Sequence, residues 1–224
     1  NCGLNIEKII LKSFVDGINL LTDNSMEKNF TILRLEKNRI NISLFKNKSF
    51  VFTQDFNFGF DLIMQDISKL CSLKIPEVEF FFKEVELKNE LENGEETYLE
   101  KKYFTDSPFR KIKHQLIFDI ITARLEEFLE VCHSRNVNIK NLRNNDKLYV
   151  YVESHNFYKN IKYILEKNMI STTKLIFNNF AEQNLISSVS GACELISKGW
   201  DKEAIPVVNK KKSFISGFFS KLFS

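Results

Sequence analysis

Apolar and polar residues alternate through residues 30–56 in the pattern typical of β-strands. The alternation is clearest at Ile40, Ile42 and Leu44, and the chain resumes it at Phe50 and Phe52. A period of two residues places every second side chain on the same face of a strand. Three consecutive antiparallel strands are therefore predicted, at residues 30–36, 39–46 and 49–56, with a tight turn at Asn47-Lys48.

Helical spacing of apolar residues dominates the rest of the chain. In "FDLIMQDISKLC", for example, Leu62, Ile63, Ile67 and Leu70 share one helical face. Helices are predicted around residues 15–21, 60–71, 76–85, 113–132, 156–167 and 186–199, and further strands at 6–11, 147–153 and 173–178. The acidic residues 86–107 predict a hairpin or a loop of low order, with a turn at Asn93-Gly94. Strands followed by alternating helices and strands predict a mixed α/β domain.

The end of the chain, "KKKSFISGFFSKLFS", carries an amphipathic pattern behind a basic run. At 100° per residue its large apolar side chains fall on one face, and serines occupy the other. So short a helix is marginal alone in water and needs a surface on which to fold. An anionic membrane accepts aromatic side chains at its headgroup boundary and attracts nearby lysines. The predicted membrane-binding residues are Lys210, Lys211, Lys212, Phe214, Ile215, Phe218, Phe219, Lys221, Leu222 and Phe223.

Two other surfaces would also satisfy this tail. The helix could dock on its own domain, or on a partner protein in helix-in-groove fashion. Residues 201–212, with Pro206 and the lysine run, predict a flexible linker, which argues against fixed docking. The membrane is therefore the preferred interpretation.

Charge and composition exclude several classes of protein. Lys and Arg number 32 against 29 Asp and Glu, and the net charge of +3 does not indicate a nucleic-acid partner. No apolar run approaches 18 residues, so no membrane-spanning helix is predicted. The four cysteines are far apart, which predicts reduced thiols in a cytosol rather than a metal site or a disulfide framework.

No motif for catalysis or nucleotide binding is recognisable. The sequence has neither a Walker loop nor G-x-G-x-x-G. Cys132 and His133 are adjacent on a predicted helix and point about 100° apart, so they do not form a catalytic pair. No catalytic residue and no metal ligand is predicted. Because the chain begins at Asn1 and enters a folded segment directly, we expect it to be the C-terminal part of a longer protein.

The order of elements resembles the second half of FtsA, the actin-like bacterial cell-division protein. "ILRLEKNRINISLFKNKSFVFTQDFNFGFDLIMQDIS" aligns without gaps on the family pattern "lvDiGGGTTDIavf-nG-l-ht--ipvGg-hiT-DIa". "IFDIITARLEEFLEVC" resembles the family helix "Ii-aR-eEil-lv", and the tail resembles its membrane-targeting helix. Asp66-Ile67, Arg124 and the tail are the most specific matches.

The resemblance implies an α/β, actin-like (ribonuclease-H-like) fold with a mixed sheet and helices, a smaller inserted α+β subdomain and a C-terminal amphipathic helix. Residues 1–59 and 135–200 would be the two parts of the actin-like domain. Residues 60–134 would be the inserted subdomain and the long helix, 201–212 the linker and 213–224 the membrane-targeting helix.

The phosphate loop is where the sequence departs from the family. There, an aspartate and three glycines let the backbone wrap the nucleotide phosphates. Side chains and altered charges replace them in this chain, so ATP with Mg is not supported and no cofactor is predicted. The positions of this degenerate phosphate loop are Arg34, Glu36, Lys37, Asn38, Arg39 and Asn41.

The resemblance implies a peripheral protein at the cytoplasmic face of the bacterial inner membrane, at the division site. It would tether the ring of the tubulin-like protein FtsZ by holding its C-terminal peptide. It would also self-associate into filaments or dimers and contact other division proteins and anionic lipids. The basic residues Lys83, Arg110, Lys111 and Lys113 are candidates for contact with an acidic peptide. The alternatives are an actin-type ATPase that binds nucleotide through altered loops, and a cytosolic interaction domain whose tail docks a partner.

Overall fold

A five-stranded mixed sheet lies at the centre of the fold. The computed structural model describes residues 9–23, 29–92, 96–140, 147–169, 175–179, 189–193, 195 and 197. The strands are β1 (Phe30–Leu35), β2 (Ile40–Lys46), β3 (Ser49–Phe56), β4 (Lys147–Val152) and β5 (Leu175–Asn179). Their order is β3-β2-β1-β4-β5. β1 pairs antiparallel with β2 and parallel with β4, so the sheet is mixed at its central strand.

Helices cover the sheet on both faces. They are α1 (Lys12–Asp23), α2 (Phe60–Cys71), α3 (Ile75–Glu84), α4 (Leu87–Glu92), α5 (His114–Leu129), α6 (Val137–Lys140) and α7 (His155–Met169). Lys101–Tyr103 form a 3₁₀ turn, and Glu130–Ser134 extend α5 as a π-helical turn. Helices on both faces bury the central strands from both sides, which explains why β1 and β4 are largely apolar.

Two apolar clusters fill the interior, one on each face of the sheet. The larger one packs α2, α3, α5 and α7 against Leu33, Leu35 and Ile42. The smaller one packs α1 against Phe30, Phe45 and their neighbours. A Cβ atom at Gly17 would overlap the ring of Phe45, so this glycine lets α1 approach the sheet closely. The alternation of side chains along β1 thus divides its residues between two cores.

The three predicted antiparallel strands are confirmed to within one residue at their ends. Asn47 and Lys48 have φ angles of 51° and 66°, so both turn residues are left-handed. Two such residues form the hairpin turn whose twist matches that of the strands. The predicted helices at 60–71 and 76–85 and the long helix also agree with α2, α3 and α5, and β4, α7 and β5 lie where strand, helix and strand were expected.

One prediction about the end of an element needs correction. The predicted strand at 6–11 is wrong for residues 9–11, which precede α1 and belong to no strand. The first residues of that predicted strand lie outside the described residues. So do the predicted turn at 93–94 and residues 198–224, which include the predicted tail helix. Of the helix predicted at 186–199, residues 189–193, 195 and 197 are described and are helical.

The segment 86–107 is more ordered than predicted. It contains α4 and the 3₁₀ turn, and Leu87 and Leu99 are buried in the larger core. Between residues 60 and 134 the described residues form helices and a single bridge, Tyr98 to Lys113, rather than the α+β arrangement that we expected. The apolar residues spaced through this acidic segment anchor it by burial, which charge alone did not indicate.

A buried carboxylate holds the loop after the 3₁₀ turn. Glu77 on α3 accepts hydrogen bonds from the backbone N–H groups of Asp106 and Ser107 at 2.8 and 2.9 Å, and from the Ser107 hydroxyl. Burial by itself raises the pKa of the Glu77 carboxyl, but these donors and the Lys74 N–H outweigh it and lower the pKa to about 2. The loop is therefore fastened to α3 by charge-assisted hydrogen bonds.

Candidate functional site

The candidate site lies where the parallel strands β1 and β4 end, at Leu35 and Val152. In open α/β sheets, ligands bind outside the carboxyl ends of the strands. Pairing of β1 with β2 brings Arg34 opposite Asn41, on either side of the turn at 36–39. All six positions of the predicted degenerate phosphate loop therefore lie together at this edge of the sheet.

Arg34 is the centre of a buried ion-pair network at this edge. Its side chain is 3% exposed, and its Nη2 contacts Asp16 Oδ2 on α1, whose side chain is 1% exposed. Nη1 donates to Glu153 Oε1 at 2.7 Å, just beyond the end of β4. Lys12 Nζ lies at the same distance, 2.7 Å, from that Glu153 oxygen. Two carboxylates and two cations thus link α1, β1 and the end of β4.

The environment shifts the two carboxyl groups in opposite directions. Burial raises the pKa of the Asp16 carboxyl, and the Arg34 guanidinium offsets only part of that increase. Burial also acts to raise the pKa of Glu153, but Lys12 and Arg34 outweigh it, and the pKa is lowered. Asp16 Oδ1 has no hydrogen-bond partner among the described residues. Arg34 therefore neutralises a buried charge that would otherwise be unpaired.

The turn between β1 and β2 is closed by its own residues. The Glu36 N–H donates to the Arg39 carbonyl at 2.9 Å. The Arg39 side chain returns two hydrogen bonds to Glu36 Oε2, at 3.0 and 2.8 Å from Nε and Nη2. Lys37 Nζ lies 4.0 Å from Asp61 Oδ1, while Asn38 is exposed at the tip. The charged side chains at this tip thus face one another.

Helix α2 begins directly against this turn. The N–H groups of Phe60 and Asp61 donate to the carbonyls of Glu36 and Lys37, at 3.1 and 2.8 Å. A Cβ atom at Gly59 would lie 2.7 Å from the Arg39 nitrogen and closer still to the Glu36 carbonyl oxygen. Glycine is therefore what permits this contact. The first amides of a helix are a ready site for phosphate, but here backbone carbonyls already use two of them.

Asn41 joins β2 to β3. Its side-chain amide donates to Thr53 Oγ1 at 2.9 Å and to Asp55 Oδ1 at 3.0 Å. Ser43 Oγ donates in turn to Asn41 Oδ1 at 2.9 Å. The resemblance places an aspartate of the family at this position, where Asn41 now acts as a bridge between strands.

These contacts do not fit the phosphates of ATP or their magnesium ion. The cation nearest the strand end, Arg34, is already paired with Asp16 and Glu153. Glu36 adds a further negative charge at the turn, and side chains replace the glycines that allow close backbone approach. Among the described residues, no cluster of His, Cys, Asp and Glu is suited to hold a metal ion.

Arg34 and its partners were only partly visible from the sequence. The alignment singled out Arg34, but nothing in it indicated Asp16, Lys12 or Glu153. A usable signal did exist, because Asp16 interrupts the apolar run "FVDGINLL" and Arg34 interrupts "FTILRL". Opposite charges in two otherwise buried segments suggest a pair, although the sequence does not specify which residues meet.

The predicted basic positions do not form one cluster. Lys111 Nζ lies 4.2 Å from the centroid of the Tyr98 ring, and Lys113 Nζ lies 2.5 Å from Glu96 Oε1. Both lysines thus sit beside the bridge between residues 98 and 113. Both lysine side chains are exposed to solvent, so neither the ring contact of Lys111 nor the ion pair of Lys113 prevents them from binding the carboxylate of a partner.

Arg110 and Lys83 lie in other surroundings. Arg110 Nη1 donates to Ser72 Oγ at 3.0 Å, at the end of α2. Lys83, near the end of α3, lines a cleft of about 240 Å³ together with Lys37 and Ser154. Lys83 therefore faces the candidate site rather than the neighbourhood of the bridge.

The predicted membrane-binding residues, from Lys210 to Phe223, lie outside the described residues. Within the described part of the chain, no helix is long and apolar enough to cross a membrane. Their assignment therefore remains a prediction from the sequence.

No protein-family model and no curated protein matches the sequence. Among solved structures, MreB5 of Spiroplasma citri bound to ADP superposes with a TM-score of 0.58 at 10% identity, over 88% of this chain and 62% of that one. The apo psk41 ParM protein gives 0.50 at 13% identity, over 85% and 50%. EutJ from Carboxydothermus hydrogenoformans gives 0.50 at 10% identity, over 80% and 52%.

The chain thus spans between half and two thirds of the length of these three proteins. At such low identity the likeness establishes the fold alone. The chain has the actin-like α/β fold, with a mixed sheet covered by helices. The resemblance to FtsA is finer than this likeness and remains a prediction.

Proposed function

We propose that this chain belongs to an actin-like scaffold of FtsA type, which tethers the FtsZ ring to the cytoplasmic membrane without using ATP. The observation that carries the proposal is the Arg34 network. The fold is that of actin-like proteins, yet the strand end at which the resemblance places the phosphates is filled by ion pairs of the chain itself. A domain that keeps the fold while its phosphate loop is filled is suited to a structural role.

The actin-type ATPase is less well supported by the same geometry. A bound triphosphate would have to displace the carboxylates of Asp16 and Glu153 from Arg34, or accept them as neighbours. Removing one partner from a buried ion pair typically destabilises a protein by about 3–5 kcal/mol. The nucleotide would have to supply that free energy in addition to its own binding.

Membrane binding is proposed from the sequence of the tail. A helix over residues 213–224 would present its phenylalanines to the headgroup boundary of the bilayer. Each lysine near an anionic surface contributes about 1 kcal/mol. Lys210, Lys211, Lys212 and Lys221 would together provide a salt-sensitive share of the affinity.

Binding of the partner peptide is proposed at the surface around Tyr98. Lys111 and Lys113 are exposed beside this ring, and their present contacts are solvated. An acidic peptide, such as the FtsZ C-terminal peptide proposed here, would exchange Glu96 for its own carboxylates at little net cost. Self-association and contacts with other division proteins belong to the same proposal.

Sedimentation with vesicles tests the tether. The intact chain and a chain ending at Val208 are mixed with phosphatidylglycerol vesicles and with neutral phosphatidylcholine vesicles. We expect only the intact chain to pellet, only with anionic lipid, and less at 0.5 M than at 0.1 M salt. Equal behaviour of the two chains would contradict the membrane role.

A nucleotide titration tests whether the chain acts without binding ATP. Unfolding temperature is followed with increasing ATP and magnesium, because a ligand that binds the folded state raises it. We expect no shift up to millimolar ATP. A saturable shift that Arg34→Met changes would support the ATPase instead.

A further inference from the structure

A groove with a partly apolar lining runs between α2 and α5. Its apolar lining residues are Leu70, Ile120 and Ala123, and its volume is about 490 Å³. Leu70 is 66% exposed although it lies in the last turn of an otherwise packed helix. An apolar groove between two helices is the kind of surface that receives an amphipathic helix.

The rim of this groove is charged, with carboxylates in excess. Among the described residues that line the groove, Asp66, Asp119 and Glu127 are acidic, and Lys69 and Arg124 are basic. Arg124 is already bound to both Asp66 and Glu127, so its charge is satisfied within the rim. The rim therefore repels anionic lipid and attracts a basic helix.

We infer that the occupant of this α2–α5 groove is the chain's own C-terminal helix, residues 213–224. The inference rests on the proposed function, because it concerns the same helix. Phe214, Phe218 and Leu222 recur every four residues and would form one apolar ridge along the groove. Lys221, on the polar side of that helix, would meet the carboxylates of the rim.

The linker is long enough for the tail to reach the groove. Gly191 lies against Val15 and Asn19 of α1, on the opposite face of the sheet from α2 and α5. Residues 198–212 connect this region to the tail, and fifteen extended residues span roughly 50 Å. The path round the edge of the sheet crosses two layers packed roughly 10 Å apart and at most the width of five strands spaced about 4.8 Å apart, which comes to roughly 40 Å.

Docking in the groove and binding to a membrane use the same phenylalanines, so they exclude each other. In the absence of vesicles the tail is held in the groove and its apolar face is covered. An anionic surface competes for it, and the affinity for the membrane is reduced by the fraction of tail that is docked. The domain thereby regulates its own attachment.

The test uses the full chain with Ala123→Glu, which places a charge in the lining of the groove. Val137→Glu is the matched control, because it adds the same charge at a residue that is 75% exposed on α6 and outside the groove. Trypsin cleavage after Lys221 is followed by mass spectrometry without vesicles as the appearance of the product 1–221, in which the lysines at 210–212 are still uncut, since a docked helix is protected from cleavage. Binding to phosphatidylglycerol vesicles is measured by sedimentation.

We expect Ala123→Glu to speed cleavage after Lys221 at least threefold and to tighten vesicle binding at least threefold, while Val137→Glu matches the unmodified chain. If the two variants behave alike in both measurements, the groove does not hold the tail and the inference is wrong. Faster cleavage without vesicle binding by any form would support the groove and overturn the membrane tether. Vesicle binding that is equal in all forms would keep the tether and overturn the groove.

Discussion

Arg124 on α5 donates a hydrogen bond of 2.7 Å from its Nε to Oδ2 of Asp66 on α2, across 58 residues of sequence. The same guanidinium reaches Glu127 one turn further along α5. Asp66 and Arg124 are also among the most specific matches of the sequence to FtsA, together with Ile67 and the tail. The pair fixes α2 beside α5 and forms one wall of the α2–α5 groove.

Arg124→Met should lower the free energy of unfolding by about 1 kcal/mol, because the pair is only partly exposed and its geometry is good. Urea denaturation followed by circular dichroism measures the change. Arg135→Met is the control, since Arg135 pairs with Glu130 on the surface and should change stability by about 0.5 kcal/mol or less. Equal losses of unfolding free energy in the two variants would show that the pair of Arg124 with Asp66 stabilises the fold no more than a surface ion pair does.

Arg34→Met should be far more destabilising, by about 3 kcal/mol or more. It leaves the carboxylate of Asp16 buried without its cation. The double variant Arg34→Met with Asp16→Leu removes both charges and should recover most of that loss. Arg39→Met, at an exposed pair, serves as the control in the same urea titration. A loss below about 1 kcal/mol for Arg34→Met would contradict the role given to this network.

The lowered pKa of Glu77 predicts that the stability of the fold decreases as the pH falls. Its pKa in the folded state is about 2, below the 4.5 that is usual for glutamate, so the folded state favours the charged form. This contribution is complete above about pH 4.5 and is lost as the pH falls towards 2. Urea midpoints of the unmodified chain and of Glu77→Gln should therefore differ at pH 7 and converge near pH 2. Glu126→Gln, on the exposed face of α5, should show no such convergence.

Gly59→Ala should destabilise the junction of the turn and α2 by about 1–3 kcal/mol. The added methyl group meets backbone atoms of Glu36 and Arg39, which cannot move aside as a side chain could. Asn57→Ala, two residues earlier and exposed, is the control. Unfolding temperatures of the two variants measure the difference, and a stable Gly59→Ala variant would mean that the turn can shift.

The sequence predicted local structure well because local rules determine it. Alternation at Ile40, Ile42 and Leu44, with the turn at Asn47-Lys48, was enough to place β2 and β3. The prediction from sequence failed for residues 86–107, where the acidic composition suggested a hairpin or a loop of low order. Leu87 and Leu99 fasten that segment by burial against partners that are distant in sequence, which periodicity over a short window does not detect.

The sequence predicted which residues form the degenerate phosphate loop but not which other residues contact them. The alignment identified Arg34 and Glu36 as departures from a phosphate loop. It did not reveal that Asp16 and Glu153 would pair with Arg34, because these residues meet only through the packing of α1 and β4 against β1. Contacts between residues 119 positions apart depend on the tertiary fold and leave no local signal.

The central position of β1 in the sheet determines the order in which its two edges pair during folding. One edge of β1 pairs with β2 a few residues later, whereas the other must wait for β4, more than a hundred residues away. The hairpin can form early, and the distant parallel pairing is slow because a long loop must close first. Until β4 arrives, β1 presents an open strand edge, which is a template for aggregation. We therefore expect fragments that end before residue 147 to be insoluble, however complete their helices are.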